Sequence, residues 1–404
     1  MKTLFTIVAM ELFIGGGGRL TTFGPMTLRM VLFAVCLCCS VYFALYRSQK
    51  GDGTPLALAL AAGYLLVHLP AVLIGVIGGS LPGDITTEMQ QSLYWLAAPF
   101  FAVALRSVDM VARAALLVRL AGVVLASGYL LTLAGLAVGA VDFVGLYARL
   151  NATGEFFFRG ESFFFYKGFL YLGIATVFLL AMKHRYSQAL LMTVIAALIL
   201  TLTRGFVLST SLAILLMLVA LGRWRGVALA AIVVAAAAFM VWIYLPSIDD
   251  VFLGQREASN SQRGDDIAYM LDNVKVTTLM FGSGFGSTIN ERINIENTYL
   301  WALWKLGIAG LCFWLLPLIL SFRYYRRVSR KSPQFNVACA FFFGTVVVYV
   351  QTMTNPYLNN PIGLSFVLIA LFSLRTLSRN EPQAIASRAS KPSAAVTLSA
   401  TPAP

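Results

Sequence analysis

Charged side chains are scarce in this chain of 404 residues: Asp, Glu, Lys and Arg make up 12% of it, and 59% of its residues are hydrophobic. The mean hydropathy is +0.80, and water-soluble domains carry about twice as many charged residues. This composition excludes a soluble protein. Apolar runs of roughly 17 to 25 residues, long enough to cross a hydrocarbon core about 30 Å thick, recur along the chain. The sequence therefore predicts an all-α polytopic membrane protein.

Residues that bind metals or carry redox chemistry are also few. The two histidines, His68 and His184, lie in a predicted span and in a predicted turn, and the five cysteines fall inside apolar runs without a CxxC pair. The sequence contains no H-E-x-x-H metal motif, no Walker phosphate loop and no carboxylate cluster inside a span. We therefore expect no metal and no cofactor, and we interpret the cysteines as packing residues.

The apolar runs predict about twelve transmembrane helices, so that both termini lie on one side of the membrane. Their bounds are roughly 2–15, 26–46, 55–79, 89–105, 115–140, 166–182, 187–203, 205–222, 226–244, 297–321, 335–354 and 358–376. The first run could be taken for a signal peptide, but it ends in four glycines without a small-x-small cleavage site, and we predict a membrane helix. Residues 1–380 form one membrane domain in this prediction. Residues 381–404, rich in Ala, Ser and Pro, are expected to be a disordered cytoplasmic tail.

The basic residues are distributed unevenly over the two sides. The net charge of +13 would by itself fit nucleic-acid binding. With both termini in the cytoplasm, however, nineteen of the 30 basic residues fall in the inward connections and chain ends, with only three acidic residues beside them. This is the positive-inside distribution of membrane proteins. The charge therefore indicates orientation in the bilayer, and no nucleic acid is expected as a partner.

Two outward connections, residues 141–166 and 245–296, are longer than simple turns. The first mixes five charged side chains with seven phenylalanines, which is typical of a membrane interface. The second is expected to contain a short amphipathic helix from about Gln262 to Lys275. Its apolar stripe, which we expect to dock on the membrane domain, consists of Ile267, Met270, Leu271 and Val274.

Arg263 lies four residues before Ile267 and therefore on the predicted docking face of this helix. Asp265 and Asp266 are expected to favour the helix N-terminus by their charge. An unpaired charge on a docking face costs several kcal/mol, so Arg263 needs an anionic partner. A neighbouring aspartate is the structural candidate, and an anionic ligand is the functional one.

Two further arginines lie on the same predicted side. Arg204 stands in the short connection between two apolar runs, at the outer boundary of the membrane. The structural alternative for Arg204 is snorkelling, in which the side chain extends to the lipid headgroups. The structural alternative for Arg159 is an ion pair with Glu155 or Glu161. Three arginines on one face indicate a site for an anion at the membrane boundary, such as a lipid-linked pyrophosphate, because the guanidinium group makes bidentate contacts to phosphate oxygens.

Several short motifs follow one another between residues 150 and 320. They are Thr203-Arg204-Gly205 at a helix start, Arg263 before a short helix, the glycine-rich stretch from Leu279 to Gly286, Glu296-Asn297-Thr298-Tyr299-Leu300, and the stretch from Leu306 to Leu311. In this order they resemble the superfamily of O-antigen polymerases and O-antigen ligases. The N-terminal third matches only as a series of hydrophobic helices, and the tail does not match.

The resemblance implies a multi-pass glycosyltransferase of the bacterial inner membrane that acts at the periplasmic side. Donor and acceptor would be undecaprenyl-diphosphate-linked glycans in the lipid bilayer, and a flippase and a chain-length regulator are further candidate partners. The resemblance also implies a metal-independent reaction in which Arg204 and Arg263 hold the diphosphate leaving group. In the ligases that this chain resembles, a His stands at the place of Glu296, so the resemblance favours a polymerase. Glu296 is also the candidate general base.

Other residues near these motifs are candidate substrate contacts. Asn297 and Tyr299 are expected to hold sugar hydroxyls, and the phenylalanines of 156–165 to guide the isoprenoid chain. The glycine-rich stretch is interpreted as a tight turn that returns the loop to the membrane, with backbone contacts to phosphate as the alternative. An ion pair with an arginine is the structural alternative for Glu296. The complete set of expected substrate contacts is Arg159, Lys167, Arg292, Asn297 and Tyr299.

Three other functions compete with polymerisation. A ligase would move the glycan onto lipid A core. A coupled transporter would need ionisable residues inside the membrane, where the sequence offers Glu11, Arg29, His68 and Arg119 at most. An assembly partner without chemistry would leave the outer arginines without a role. We therefore prefer the polymerase.

The charge distribution makes a testable prediction about topology. A reporter fused after Asn380 should be active only if it is one that works in the cytoplasm, and a reporter inserted near Ser259 only if it works in the periplasm, because basic connections stay inside. Matched fusions of both reporter types at both positions measure this. The opposite pattern would place the arginines on the wrong face.

Overall fold

The computed structural model of the chain describes residues 1–24, 26–46, 53–159, 163–182, 187–226, 257–290, 292–293 and 295–389. Side chains are described in these ranges except at positions 46, 159, 257–260 and 381–389. His184, most of the predicted span 226–244 and residues 390–404 lie outside the described part.

The described residues are mostly helical. The helices are α1 (Lys2–Ile14), α2 (Leu28–Tyr46), α3 (Thr54–Ile77), α4 (Pro82–Ser92), α5 (Ala98–Ala104), α6 (Val108–Ala137), α7 (Phe143–Asn151), α8 (Leu170–Ala181), α9 (Ser187–Leu200), α10 (Arg204–Ala220), α11 (Glu257–Asn273), α12 (Val276–Phe281), α13 (Thr298–Arg327), α14 (Phe335–Gln351) and α15 (Pro361–Ala389). Short 3-10 helices cover Leu93–Ala97 and Lys167–Phe169. Two antiparallel hairpins pair β1 (Thr22–Phe23) with β2 (Met26–Thr27) and β3 (Phe156–Arg159) with β4 (Phe163–Tyr166).

The predicted class of an all-α membrane protein is confirmed. In the described part, five helical segments are long and apolar enough to cross a bilayer, and four shorter apolar helices accompany them. The number of twelve spans stays a prediction. The five segments are Leu28–Leu45, Thr54–Ile77, Val108–Ala137, Thr298–Arg327 and Pro361–Asn380.

Helix α15 lies at the centre of the helix bundle. In the most apolar stretch of 18 residues, 83% of α15 is buried, whereas the corresponding stretches of α2 and α3 are each 28% buried. It packs against α13 and α14 and also contacts α5 and α6. The outer helices instead expose apolar side chains such as Leu66 and Ile77 of α3, which is the distribution expected where lipid replaces water as the solvent.

Two predicted boundaries are wrong. The fourth span, expected as one helix over 89–105, consists of α4, the 3-10 helix Leu93–Ala97 and α5. Pro99 in the first turn of α5 lacks the N–H that would continue the preceding helix, and its ring favours a helix start. The fifth span begins at Val108 rather than near residue 115, because the Ser107 side chain accepts a hydrogen bond from the Met110 N–H and caps α6.

The expected start of a disordered tail after residue 380 also needs correction. Helix α15 continues to Ala389, nine residues beyond the predicted boundary. This segment contains the good helix formers Ala384, Ala386 and Ala389 beside Pro382, which removes one backbone donor from the helix. Composition alone therefore placed the boundary too early.

The glycine-rich stretch forms a tight turn, as predicted, and docks on a break in α13. Gly307 interrupts α13 with φ +67°, a conformation that strains other residues. The Ser283 N–H donates to the Trp304 carbonyl at 2.7 Å, and the Gly284 N–H to the Lys305 carbonyl at 3.2 Å. A Cβ at Gly282 would lie 2.2 Å from the Lys305 oxygen. The turn therefore supplies hydrogen bonds to carbonyls of the interrupted helix.

A buried ion pair beside this turn was missed by the sequence analysis. Lys305 and Glu88 have 0% and 1% of their side-chain surface exposed, and Lys305 Nζ lies 2.9 Å from Glu88 Oε1. Glu88 also accepts hydrogen bonds from Trp301 Nε1 at 3.0 Å and from the Gly286 N–H at 2.6 Å. Lys305 Nζ also donates to the Ser287 carbonyl. The pair ties α4, α13 and the glycine-rich turn together.

Removing one partner of this pair should strongly destabilise the protein. Lys305→Met leaves the Glu88 charge buried and unpaired, which costs about 3–5 kcal/mol. Thermal unfolding of the detergent-purified protein measures the effect. Lys275→Met, the same change at an exposed position, is the matched control and should unfold like the wild type. The double variant Glu88→Gln/Lys305→Met should recover part of the loss, and a Lys305→Met protein of normal stability would contradict this account.

Candidate functional site

Four connections that the predicted topology places on the outer face meet at one cleft of about 790 Å³. They are the β3–β4 hairpin with Lys167, the start of α10, the segment from α11 to α13, and the connection 352–360 between α14 and α15. The cleft is lined by Phe157, Phe165, Lys167, Thr203, Arg204, Gly205, Leu208, Arg263, Glu296, Thr354, Asn355, Pro356, Tyr357, Asn360 and Ile362.

Arg204 is the first residue of α10, as the sequence predicted for a helix start. Thr203 precedes it in an extended conformation, which marks the end of the helix. Because Thr203, Arg204 and Gly205 line the cleft, the positive end of the helix dipole lies there. Gly205 allows close packing here, since a Cβ would lie 2.8 Å from Gln351 Nε2 and 2.9 Å from Thr354 Oγ1, and these side chains would have to shift. The helix start is thus packed directly against the connection 352–360.

Arg263 pairs with Glu296 at the edge of the cleft. Its Nε donates to Glu296 Oε2 at 2.9 Å, and its Nη2 lies 2.7 Å from the same oxygen. Nη2 also donates to the Thr354 carbonyl at 3.3 Å. Both side chains of the pair are partly exposed. The anionic partner that Arg263 needs is therefore Glu296, rather than a neighbouring aspartate.

The predicted docking face of the loop helix is wrong. The helix is α11, which already includes Glu257, five residues before the predicted start near residue 262. Ile267, Leu271 and Val274 of the predicted stripe are exposed, and only Met270 is buried. The buried face instead follows Asp266 and Met270, because two ion pairs, not apolar contacts alone, hold the helix.

Asp266 provides the second of these ion pairs. It lies in the middle of α11, not at the N-terminus, and its buried carboxylate pairs with Arg292. The expected charge effect of Asp266 on the helix N-terminus is therefore wrong. Arg292 does not line the cleft but braces α11 from the segment that leads to α13.

Lys167 enters the cleft from the end of the β3–β4 hairpin. Its Nζ lies 4.0 Å from Glu155 Oε2 and 5.7 Å from the centre of the Phe157 ring. Glu155 is buried and accepts a hydrogen bond from the Gly17 N–H at 2.6 Å. Tyr357 donates its hydroxyl proton to the Lys167 carbonyl at 3.1 Å. A tyrosine of ordinary pKa, about 10, is already protonated at neutral pH. Burial, assisted by the Glu155 charge, raises the pKa of Tyr357 further.

The cleft combines positive charge with an apolar rim. Three cationic side chains, Lys167, Arg204 and Arg263, line it with one carboxylate, Glu296. On its apolar side lie Leu208, which is 66% exposed, and Phe157, which is 51% exposed. Leu208 follows Arg204 by one helical turn and therefore lies on the same face of α10. Such a surface can bind an anion that carries an apolar chain.

Three of the predicted site residues whose side chains the structure describes are not among the cleft's lining residues. Arg292 braces α11, as described above. Asn297 caps α13, since its side chain accepts from the N–H groups of Tyr299 and Leu300. The Tyr299 hydroxyl donates to the Tyr349 carbonyl at 2.7 Å. Arg159 ends β3 opposite Phe163, and its side chain is outside the described part.

The connection 352–360 is a wall of the cleft that was not predicted from the sequence. It contributes Thr354, Asn355, Pro356, Tyr357 and Asn360 to the cleft. A signal was present: three asparagines and a proline stand between two apolar runs, on the side that the topology prediction places outward. The stretch was passed over because it is short and carries no charge.

Comparisons with known proteins give two matches. A family model described as O-antigen ligase matches residues 189–315. An O-antigen polymerase of Shigella flexneri is 28% identical over 388 residues, which cover 93% of this chain and 96% of that protein. The first match spans the start of α10, α11, the glycine-rich turn and most of α13. These matches confirm the resemblance that the motifs predicted.

Proposed function

We propose that this member of the O-antigen polymerase and O-antigen ligase superfamily polymerises glycan repeats that are linked to undecaprenyl diphosphate. A hydroxyl of the acceptor repeat attacks the anomeric carbon of the donor glycan. A new glycosidic bond forms, the bond from that carbon to the diphosphate oxygen breaks, and the hydroxyl proton leaves to a base. The diphosphate lipid departs as an anion. No metal or cofactor takes part in this proposal.

The observation that carries the proposal is the cationic cleft with an apolar rim. Arg204, Arg263 and the positive end of α10 line the same cleft, where they stabilise the negative charge that develops on the departing diphosphate. Lys167 adds a fourth positive contribution. Phe157 and Leu208 offer an apolar path for the isoprenoid chain. A soluble anion would not need such a rim.

Glu296 has a place in this chemistry beside its ion pair. Arg263 contacts Oε2 of the carboxylate, while no hydrogen bond to Oε1 occurs within the described residues. In the proposal Oε2 orients the arginine, and Oε1 accepts the proton of the attacking hydroxyl. In the ligases that this chain resembles, a histidine stands at this place, so the glutamate favours the polymerase. The O-antigen ligase match keeps transfer to lipid A core as the alternative.

The proposed setting is the bacterial inner membrane, with the cleft at the periplasmic face and both termini in the cytoplasm. The positive-inside distribution of Lys and Arg supports this orientation. A flippase would deliver the lipid-linked repeats to the cleft, and a chain-length regulator would act on the growing polymer. Arg292, Asn297 and Tyr299 have supporting roles in the fold in this proposal.

Purified protein incubated with lipid-diphosphate-linked repeats should produce a ladder of polymer on a gel. Arg204→Ala and Arg263→Ala should each lower the rate about 10²–10³-fold, because each loses one charge-assisted contact to the leaving group. Arg→Lys should rescue only in part, since a point charge cannot reproduce the bidentate contact.

Arg223→Ala, at a predicted cytoplasmic turn, is the matched control and should leave the ladder unchanged. Normal polymer from Arg204→Ala or Arg263→Ala would remove that residue from the mechanism. A glycan that appears on added lipid A core instead of a ladder would establish the ligase alternative.

Glu296→Gln separates a base from an orienting role. If Glu296 is the base, turnover at saturating acceptor should fall about 10²–10⁴-fold with little change in donor binding. If it only orients Arg263, donor binding should weaken as well. Single-turnover rates and lipid-binding measurements on the same preparations distinguish these outcomes. Glu296→His adds a test, because full polymerase activity in it would cancel the use of Glu296 to prefer the polymerase.

A further inference from the structure

We infer that the connection 352–360 forms a sugar-binding subsite of the cleft, in which the side-chain amides of Asn355 and Asn360 hold hydroxyl groups of the lipid-linked glycan. The inference rests on the proposed function, since it names the part of the cleft that receives the sugar rather than the diphosphate. It assigns specificity for the sugar to residues other than the cationic side chains Lys167, Arg204 and Arg263.

The position of the connection supports this assignment. The Thr354 carbonyl accepts a hydrogen bond from Arg263 Nη2, so the connection lies beside the Arg263–Glu296 pair. Its other neighbour is the start of α10, where Gly205 packs against Thr354. A glycan whose diphosphate is held by Arg204 and Arg263 would therefore have this connection as a wall.

The chemistry of the connection differs from that of the cationic group. Residues 352–360 contain no ionisable side chain except Tyr357, whose hydroxyl is bonded to the Lys167 carbonyl. A diphosphate selects cations, whereas sugar hydroxyls both donate and accept hydrogen bonds. The asparagine amide offers both functions without charge, and a few such groups are sufficient to orient a ligand in a cleft.

The two amides retain hydrogen-bonding capacity. Asn360 Oδ1 accepts from the Ile362 N–H at 3.1 Å and caps α15, and within the described residues its Nδ2 makes no hydrogen bond. Asn355 Nδ2 donates to Thr354 Oγ1 at 3.3 Å, and its Oδ1 accepts none from the described residues. The third asparagine is different: Asn359 is buried, and its Nδ2 donates to Gln91 Oε1. Of the three asparagines, Asn355 and Asn360 line the cleft, where a bound glycan would contact them.

The connection is also held by several hydrogen bonds, which favours its use for recognition. The buried Gln351 donates from Nε2 to Thr354 Oγ1 at 3.2 Å and accepts from Ser209 Oγ at 3.1 Å. The Leu358 N–H donates to Thr352 Oγ1 at 3.0 Å. A preorganised segment loses little conformational freedom on binding and can therefore discriminate between ligands.

The test compares two lipids: undecaprenyl diphosphate alone, and the lipid-linked repeat extracted from producing cells that lack this gene. Asn355→Ala and Asn360→Ser should each raise the Kd for the glycan-bearing lipid about three- to tenfold, because one neutral hydrogen bond is lost. The Kd for undecaprenyl diphosphate should not change. Asn360→Ser keeps an oxygen to cap α15, and Asn355→Ala provides the same test if that variant does not fold.

Two controls keep the outcomes distinct. Asn273→Ala, at an exposed position of α11, should bind both lipids like the wild type, and Arg204→Ala should weaken binding of both. Unchanged binding of both lipids by the Asn355 and Asn360 variants, or an equal loss of both, would overturn the subsite while the proposed function stands. A wild-type protein that binds neither lipid would overturn the proposed function and this inference with it.

Discussion

The interruption of α13 at Gly307 is the constraint on which the half of the molecule that holds the cleft depends. A helix broken near the membrane leaves carbonyl groups without intrahelical donors, and in a bilayer such groups must find other partners. The N–H groups of Ser283 and Gly284 supply them. The same turn brings Gly286 and Ser287 to the buried pair of Glu88 and Lys305. The segment that carries Arg263 and Glu296 is thereby fixed on both sides of the turn to the membrane domain.

Buried carboxylates repeat this use of charge elsewhere in the molecule. Glu88 joins α4 to α13 and the glycine-rich turn, Glu155 joins the phenylalanine-rich hairpin to the turn after α1, and Asp266 fixes α11 to the segment before α13. Buried charges are unfavourable unless they are paired. These pairs therefore restrict how the connections can be arranged. A cleft of defined shape between the connections is consistent with this restriction.

The cleft divides the chemistry of its proposed substrate among its walls. Cationic side chains and the start of α10 lie where a diphosphate would bind, apolar side chains lie where an isoprenoid chain would leave, and neutral amides line a third wall. A lipid-linked glycan is an anion, a hydrocarbon and a sugar in one molecule. A site that separates these three environments orients such a substrate before any bond changes, which is a large part of enzymatic rate enhancement.

The sequence by itself determined the membrane class, the helix start at Arg204 and the turn in the glycine-rich stretch, because hydrophobic run length, short connections and glycine spacing are local properties. Only the tertiary structure decided which charges pair. Glu88 and Lys305 are 217 residues apart, and Arg263 and Glu296 are 33 apart, so no local pattern relates them. For the same reason the buried face of α11 was mispredicted: apolar spacing indicated Ile267 and Leu271, whereas ion pairs to distant residues turned the helix toward Asp266 and Met270. The wall formed by the connection 352–360 likewise exists only because α10 and α11 are folded against it.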